Sequence, residues 1–390
     1  MALPSPFSVI SNILFVLVVA LTLQISTAQH YCNSSIFSFG DSLADTGNLF
    51  NIARPGGLPS FGLPPYGETF FHHPTGRPSD GRLVIDFIAE YLGLPLVPPF
   101  FGGENGTDQS FKDGVNFAVF GATALDYSFL LDKGIKNPVT NFSLGVELNL
   151  FKRLLPSLCS SSSDCSKLLQ NSLILMGEIG GNDYNYPLFA KTNIELVRKL
   201  VPLVVGKIGS VIQELIELGG VTFMVPGNLP IGCIPIYLTI YQTSNTEEYD
   251  PEIGCLNWLN KFSEYHNQLL QEELTRIRQL HPHVNLIYAD YYNATLQCYR
   301  NPNEFGFEKK SLKACCGGGG PYNFNITASC GRPGSTACND PSSYISWDGI
   351  HLTEAAYRTI AKALIQGPYT IPQINTSCIV SSNSQSVQQL

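Results

Sequence analysis

Charge is scarce in this sequence: 14% of its 390 residues are charged, and no lysine- or arginine-rich run occurs. The 31 acidic residues outnumber the 23 basic ones, for a net charge of −8. A chain of that sign without a basic patch argues against nucleic acid or an anionic membrane surface as partner. The 35 glycines and 26 prolines follow no period, which removes collagen-like and low-complexity readings. No repeat at solenoid or propeller spacing is present. C-x-x-C is absent, and His72-His73 and His281-Pro282-His283 lack a partner cluster at metal-ligand spacing. No metal and no cofactor are therefore expected. Ile13 to Leu23 is apolar except for Thr22, far short of the ~20 residues a membrane-spanning helix needs. What remains, at 44% hydrophobic, is long and apolar enough for one large domain or two ordinary ones.

That apolar run lies in a start without a charged side chain through residue 28, and Ser26-Thr27-Ala28 is a small-residue cleavage pattern. Residues 1–28 read as a secretory signal peptide. The run has no Lys or Arg ahead of it, which leaves an uncleaved anchor as the alternative. Eleven cysteines suit an oxidising compartment. Cys159 and Cys165 are the expected local pair, and the group at 298–338 should hold a further bond. Adjacent Cys315 and Cys316 should take different partners. Six N-x-[ST] sequons follow, at Asn33, Asn105, Asn141, Asn293, Asn325 and Asn375, and predict a glycoprotein with those positions at its surface. The expected destination is extracellular or vacuolar, reached through the secretory pathway.

Five short apolar runs predict buried strands at Ile36–Phe39, Val115–Val119, Leu173–Met176, Val221–Val225 and Val284–Tyr288. Helical patterns lie between and after them. Ile208, Val211, Ile212, Leu215 and Ile216 share one face, and Phe262, Tyr265, Leu269 and Leu270 mark another. Further helices are expected over Leu83–Leu92 and Thr353–Ile365. Strands alternating with helices predict a parallel sheet covered on both faces. Two irregular stretches, near 49–81 and 298–346, read as insertions in one domain spanning 29–390.

Three strands run into distinctive turns: Gly40-Asp41-Ser42-Leu43 after the first, Gly121-Ala122-Thr123 after the second, and Gly180-Gly181-Asn182-Asp183 after the third. Ligands of an open parallel sheet bind at the carboxyl ends of its strands, so these turns should meet. Near the end of the chain, Asp348 and His351 are spaced to share one side of a turn. Singly, each is an ordinary cap or turn. Together they supply what acyl transfer requires. Ser42 is a nucleophile once His351 takes its proton, and Asp348 would hold the imidazole tautomer. The Ser42 and Gly121 N–H groups and the Asn182 amide are candidate donors to the oxyanion. There is no G-x-S-x-G elbow, and His and Asp follow the Ser, unlike the trypsin order.

These blocks resemble the SGNH hydrolases, and Phe39–Asn48 (FGDSLADTGN) resembles the GDSL esterase/lipase family of plants over roughly Ile36 to Ile365. GVNFAVFGATALD and GGNDYNYPLF are similar to the branch that contains acetylajmalan esterase and sinapine esterase. The resemblance implies a flavodoxin-like three-layer α/β/α sandwich with a five-stranded parallel sheet. It also implies Ser42, Asp348 and His351 as catalytic triad, and Ser42, Gly121 and Asn182 as oxyanion hole. The expected activity is hydrolysis of a small-molecule carboxylic ester, short acyl groups preferred. An acyltransferase with the same triad, a lipase or cell-wall acetyl esterase, and a binding protein that keeps the fold remain open, as does the oligomeric state.

Overall fold

Five apolar segments form parallel strands: β1 (Ser35–Ser38), β2 (Gly114–Asn116), β3 (Ser172–Leu175), β4 (Thr222–Pro226) and β5 (Asn285–Ala289). Each starts within one residue of its expected run. The structure is a computed structural model that describes residues 34–53, 57–102, 111–308 and 312–374. The signal-peptide reading and the sequons at Asn33, Asn105 and Asn375 lie outside the described residues. Two-residue strands β6 (Cys316–Gly317) and β7 (Thr336–Ala337) pair with each other, and β8 (Thr370–Ile371) lies antiparallel to β5. The main sheet thus runs β2-β1-β3-β4-β5-β8. Its sixth strand corrects the expected five. Two residues at the close of the chain are too short to register as an apolar run, and only pairing with Tyr288 and Ala289 makes them a strand.

Side chains alternate along each strand and so divide between two cores. Phe37, Ile174, Phe223 and Val225 point to one side, where they pack with helices α2 (Leu144–Leu158), α4 (Val201–Glu217) and α5 (Asn257–Leu280). Ile36, Leu173, Leu175 and Met224 point to the other, against α1 (Val84–Tyr91), α6 (Tyr291–Arg300) and α7 (Glu354–Gln366). Helix α3 (Gly181–Phe189) follows β3 directly. The result is helix layers on both faces of a mostly parallel sheet. Helices α2 and α6 were not among those expected from the sequence. Ser143 starts α2 by accepting the Val146 N–H, and Asp290 starts α6 by accepting the Asn293 N–H.

One glycine decides how closely the first two strands approach. Gly114 has φ +115°, and a Cβ there would lie 1.9 Å from the Ile36 carbonyl oxygen. Only a residue without a side chain lets β2 pair with β1 at this point.

Four disulfides join described cysteines: Cys159–Cys165, Cys233–Cys255, Cys315–Cys338 and Cys316–Cys330. The expected local pair is present, and the adjacent cysteines take different partners. Buried Cys298 is a free thiol, pushed up to about 12 by burial, so it stays protonated and unreactive. The segment carrying the nested pair, 315–338, runs beneath the loop that precedes α7. The Cys315 N–H donates to the Ser346 carbonyl (2.9 Å) and the Cys316 N–H to the Trp347 carbonyl (2.7 Å).

Candidate active site

The sheet reverses direction of winding between β1 and β3, the switch point at which ligands bind in this strand order. Ser42 lies in the turn after β1, Gly121 after β2 and Asn182 in the first turn of α3, after β3. The three are laced together. Asn182 Nδ2 donates to Asp41 Oδ2 (2.9 Å) and to the Ala122 carbonyl (3.0 Å). The Gly121 carbonyl accepts both Asn137 Nδ2 (2.9 Å) and the Tyr186 hydroxyl (2.9 Å). Gly121 has φ +81°, and a Cβ there would press within 2.7 Å of Val139 and 2.9 Å of the Tyr186 oxygen. Among the described residues, the N–H groups of Ser42 and Gly121 have no acceptor within the protein. Both Asn182 amide protons, by contrast, are in use.

Asp348 and His351 sit in the loop entering α7. His351 Nδ1 lies 2.9 Å from Asp348 Oδ2 and 3.1 Å from Oδ1. Asp348 Oδ1 also accepts the Ile350 and His351 N–H groups at 2.7 Å each, and the Trp347 N–H closes the turn on the His351 carbonyl (2.8 Å). Burial alone would raise the Asp348 carboxyl, but the facing imidazole and these hydrogen bonds hold it below its ordinary value. It is therefore ionised, and His351 Nδ1 carries a proton toward it. Among the described residues, buried His351 Nε2 has no hydrogen-bond partner. The His351 ring lies 5.2 Å from that of Phe120, whose N–H reaches back to Asp45 Oδ2 (2.7 Å) in the Ser42 loop.

One partner of this pair escaped the sequence reading. The Tyr66 hydroxyl donates to Asp348 Oδ2 (2.8 Å) from a position 282 residues earlier. Burial and the Asp348 charge raise the Tyr66 phenol, which keeps it a donor. The same insertion braces the loop further on. Ser79 Oγ donates to the Leu352 carbonyl (3.1 Å), and Asp80 Oδ1 accepts the Glu354 N–H (2.8 Å). Tyr184 is buried against His266, Tyr186 serves Gly121, and Phe70 and Phe71 lie under Arg82 and Arg77.

Beneath the turns is a set of buried carboxyls that sequence reasoning also missed, since nothing in a lone Asp or Glu marks it as buried. Burial, then neighbouring Glu178, raises Asp41, and burial likewise raises Glu178 and Glu147. Asp45 is raised to about 6 and Asp183 to about 7, each by burial that exceeds the pull of several backbone N–H groups. None of these five takes part in an ion pair among the described residues. They act as hydrogen-bonded anchors. Glu147 holds the Gly40 N–H (2.8 Å), and Asp183 holds those of Ala124 (2.7 Å) and Leu125 (3.0 Å).

A 2-1-3-4-5 parallel order with these turns at its carboxyl edge defines an SGNH-type hydrolase fold. The chain belongs to the GDSL-like Lipase/Acylhydrolase family, which matches residues 36–364. It is 58% identical over 363 residues to a GDSL esterase/lipase of Arabidopsis thaliana, covering 93% of this chain and 91% of that one. Another from the same plant is 59% identical over 344 residues, 88% of this chain and 87% of the relative. The sinapine esterase of Brassica napus is 52% identical over 368 residues, 94% of each. The protein is a carboxylic ester hydrolase acting on a small-molecule ester. No helix among the described residues is long and apolar enough to cross a membrane.

Proposed function

We propose that the chain is a secreted serine esterase that cleaves an acetyl or other small acyl ester of a specialised metabolite through an acyl-enzyme on Ser42. Residues 29–390 form the mature chain, a single hydrolase domain, and residues 1–28 its signal peptide. The observation that supports the reading is the Asp348–His351 pair, whose buried Nε2 has no partner among the described residues, at the sheet edge bearing the Ser42 turn. His351 Nε2 takes the Ser42 proton as Oγ bonds to the ester carbonyl carbon, and Asp348 stabilises the imidazolium that results. The oxyanion is met by the N–H groups of Ser42 and Gly121. Asn182 becomes the third donor when one amide proton leaves the Ala122 carbonyl. His351 then protonates the leaving alcohol, and water repeats the sequence on the acyl-enzyme.

The name sinapine esterase supports hydroxycinnamate esters as one substrate class to assay beside acetyl esters. The test is an alkyl phosphonate fluoride followed by peptide mass mapping. Labelling of Ser42 alone, with loss of ester hydrolysis in step, is the expected result. Full labelling elsewhere, or hydrolysis that survives complete Ser42 labelling, overturns the assignment. A p-nitrophenyl ester series should show rates falling from short to long acyl chains, and a rise toward long chains would point to a lipase.

A further inference from the structure

A groove of about 740 Å³ lies on the flank of the molecule, between the outer face of α5 and the start of α6. Its lining mixes apolar surface with amide and charged groups: Gln268, Gln271, Gln279, Glu272 and Arg276 stand on one side, and Tyr288, Tyr292 and Asp290 on the other. Asn293 stands on its rim, exposed, and is the acceptor residue of the sequon Asn293-Ala294-Thr295. Two residues apart on a helix point roughly 200° apart, so folding turns Asn293 outward and Thr295 inward. Thr295 is fully buried, and its Oγ1 has no hydrogen-bond partner among the described residues.

That idle hydroxyl sets this sequon apart from the other two that the structure describes. Ser143 donates to Asp126 Oδ1 (2.7 Å) and caps α2, so its hydroxyl serves the fold. Thr327 donates to Asn325 Oδ1 (2.8 Å). A buried hydroxyl without a partner is a net cost to folding, and valine has the same shape without it. The fold gives no reason for threonine at 295. Recognition of the extended chain before folding does, because N-x-[ST] is read while the hydroxyl is still accessible.

We propose that Asn293 carries an N-linked glycan whose first N-acetylglucosamine units lie in this groove. The inference rests on the secretory reading above. In the transfer, Asn293 Nδ2 bonds to C1 of the first sugar of a lipid diphosphate-linked oligosaccharide. The bond from C1 to the diphosphate oxygen breaks, the lipid diphosphate leaves, and Nδ2 gives up one proton. The remaining N–H continues to donate to Asp290 Oδ2, 2.7 Å away, which fixes the direction of the linkage. The helix cap made by Asp290 with the Asn293 N–H is untouched. Amide side chains then face sugar hydroxyls and acetamido groups, while the apolar part of the lining meets the apolar faces of the rings.

The experiment uses the full chain secreted from plant cells, with glycopeptide mass spectrometry and hydrogen exchange. The Asn293 peptide should be occupied, Thr295→Ser should keep that glycan, and Thr295→Val should lose one glycan and no other. Exchange of amides along 264–279 should be several-fold slower in the wild type than in Thr295→Val. In an unglycosylating host, Thr295→Val should melt no lower than wild type, since the hydroxyl it removes has no partner. An empty Asn293 beside occupied Asn141 or Asn325 overturns this inference alone. No glycan on any sequon overturns the secretory reading together with it. An occupied Asn293 with unchanged exchange along 264–279 refutes the seating of the sugar in the groove.

Discussion

Asp348 accepts four hydrogen bonds, from Ile350, His351 N–H, His351 Nδ1 and Tyr66. Three come from its own turn, and the spacing of Asp348 and His351 makes their pairing legible in the sequence. The fourth is not legible, because a tyrosine in a Pro- and Gly-rich stretch carries no sign of a partner at the far end of the chain. Ser42→Ala and His351→Ala should each lower kcat by about a millionfold, and the double variant no further. Asp348→Asn should cost about ten-thousandfold through the wrong imidazole tautomer. Asn182→Ala should cost about a hundred- to a thousandfold in kcat, with KM little changed, since the amide meets charge only in the transition state. Tyr66→Phe removes one hydrogen bond to a carboxylate, worth ~1.5–3 kcal/mol, so kcat should fall about ten- to a hundredfold in a folded protein. Steady-state kinetics with a circular dichroism check on folding decide all five. A Tyr66→Phe enzyme of wild-type rate would mean that the turn alone orients His351.

The elements that position these groups were read unevenly. Strands β1 to β5 were legible because each is a short apolar run buried on both faces, four of them rich in β-branched or aromatic residues, and α4 because its apolar face repeats with helical period. Helix α6 was not, since Tyr291–Arg300 mixes polar and aromatic residues and is helical by virtue of its Asp290 cap and its packing. The 315–338 segment read only as irregular. Its role is tertiary, since it lies against Ser346 and Trp347 and so supports the turn of Asp348. Cys316→Ser/Cys330→Ser should therefore lower stability by ~3 kcal/mol and reduce kcat as well. Cys159→Ser/Cys165→Ser, far from the turns, should affect stability without affecting kcat. Melting curves and rates measured well below both Tm values separate the two. Equal loss of rate in both double variants would deny the nested pair any particular link to Asp348.

Taken together, the buried acids give the molecule a preferred pH. Asp45 and Asp183 hold their protons in the fold to about pH 6 and 7, whereas an unfolded chain releases them near 4. Between those values the fold binds more protons than the unfolded chain, so its stability falls as pH rises. Asp41, Glu147 and Glu178 are shifted in the same direction. His266 opposes them. Burial lowers it to about 4, so on its account stability falls as pH drops from about 6.5. Five carboxyls against one imidazole predict a higher Tm at pH 5 than at pH 7.5, measured by calorimetry at equal ionic strength. A Tm that rises toward pH 7.5 would show that these acids stay ionised in the fold.

The nested disulfides also bear on how the chain is made. Cys315 and Cys316 leave the ribosome side by side, and Cys330, the partner of the second, appears before Cys338, the partner of the first. During that interval Cys330 meets two neighbouring thiols, and capture of the wrong one leaves Cys338 to close the other. The mispaired chain contains the same number of bonds, but the segment under Trp347 is shifted by one residue, so the Asp348 turn loses its support. Correct material thus depends on thiol exchange after synthesis, not on oxidation alone. Production in an oxidising compartment without a disulfide isomerase should give protein with all four of these cysteines oxidised, of correct mass and largely inactive. Supplying the isomerase, or a glutathione buffer in vitro, should recover activity without any change in thiol count.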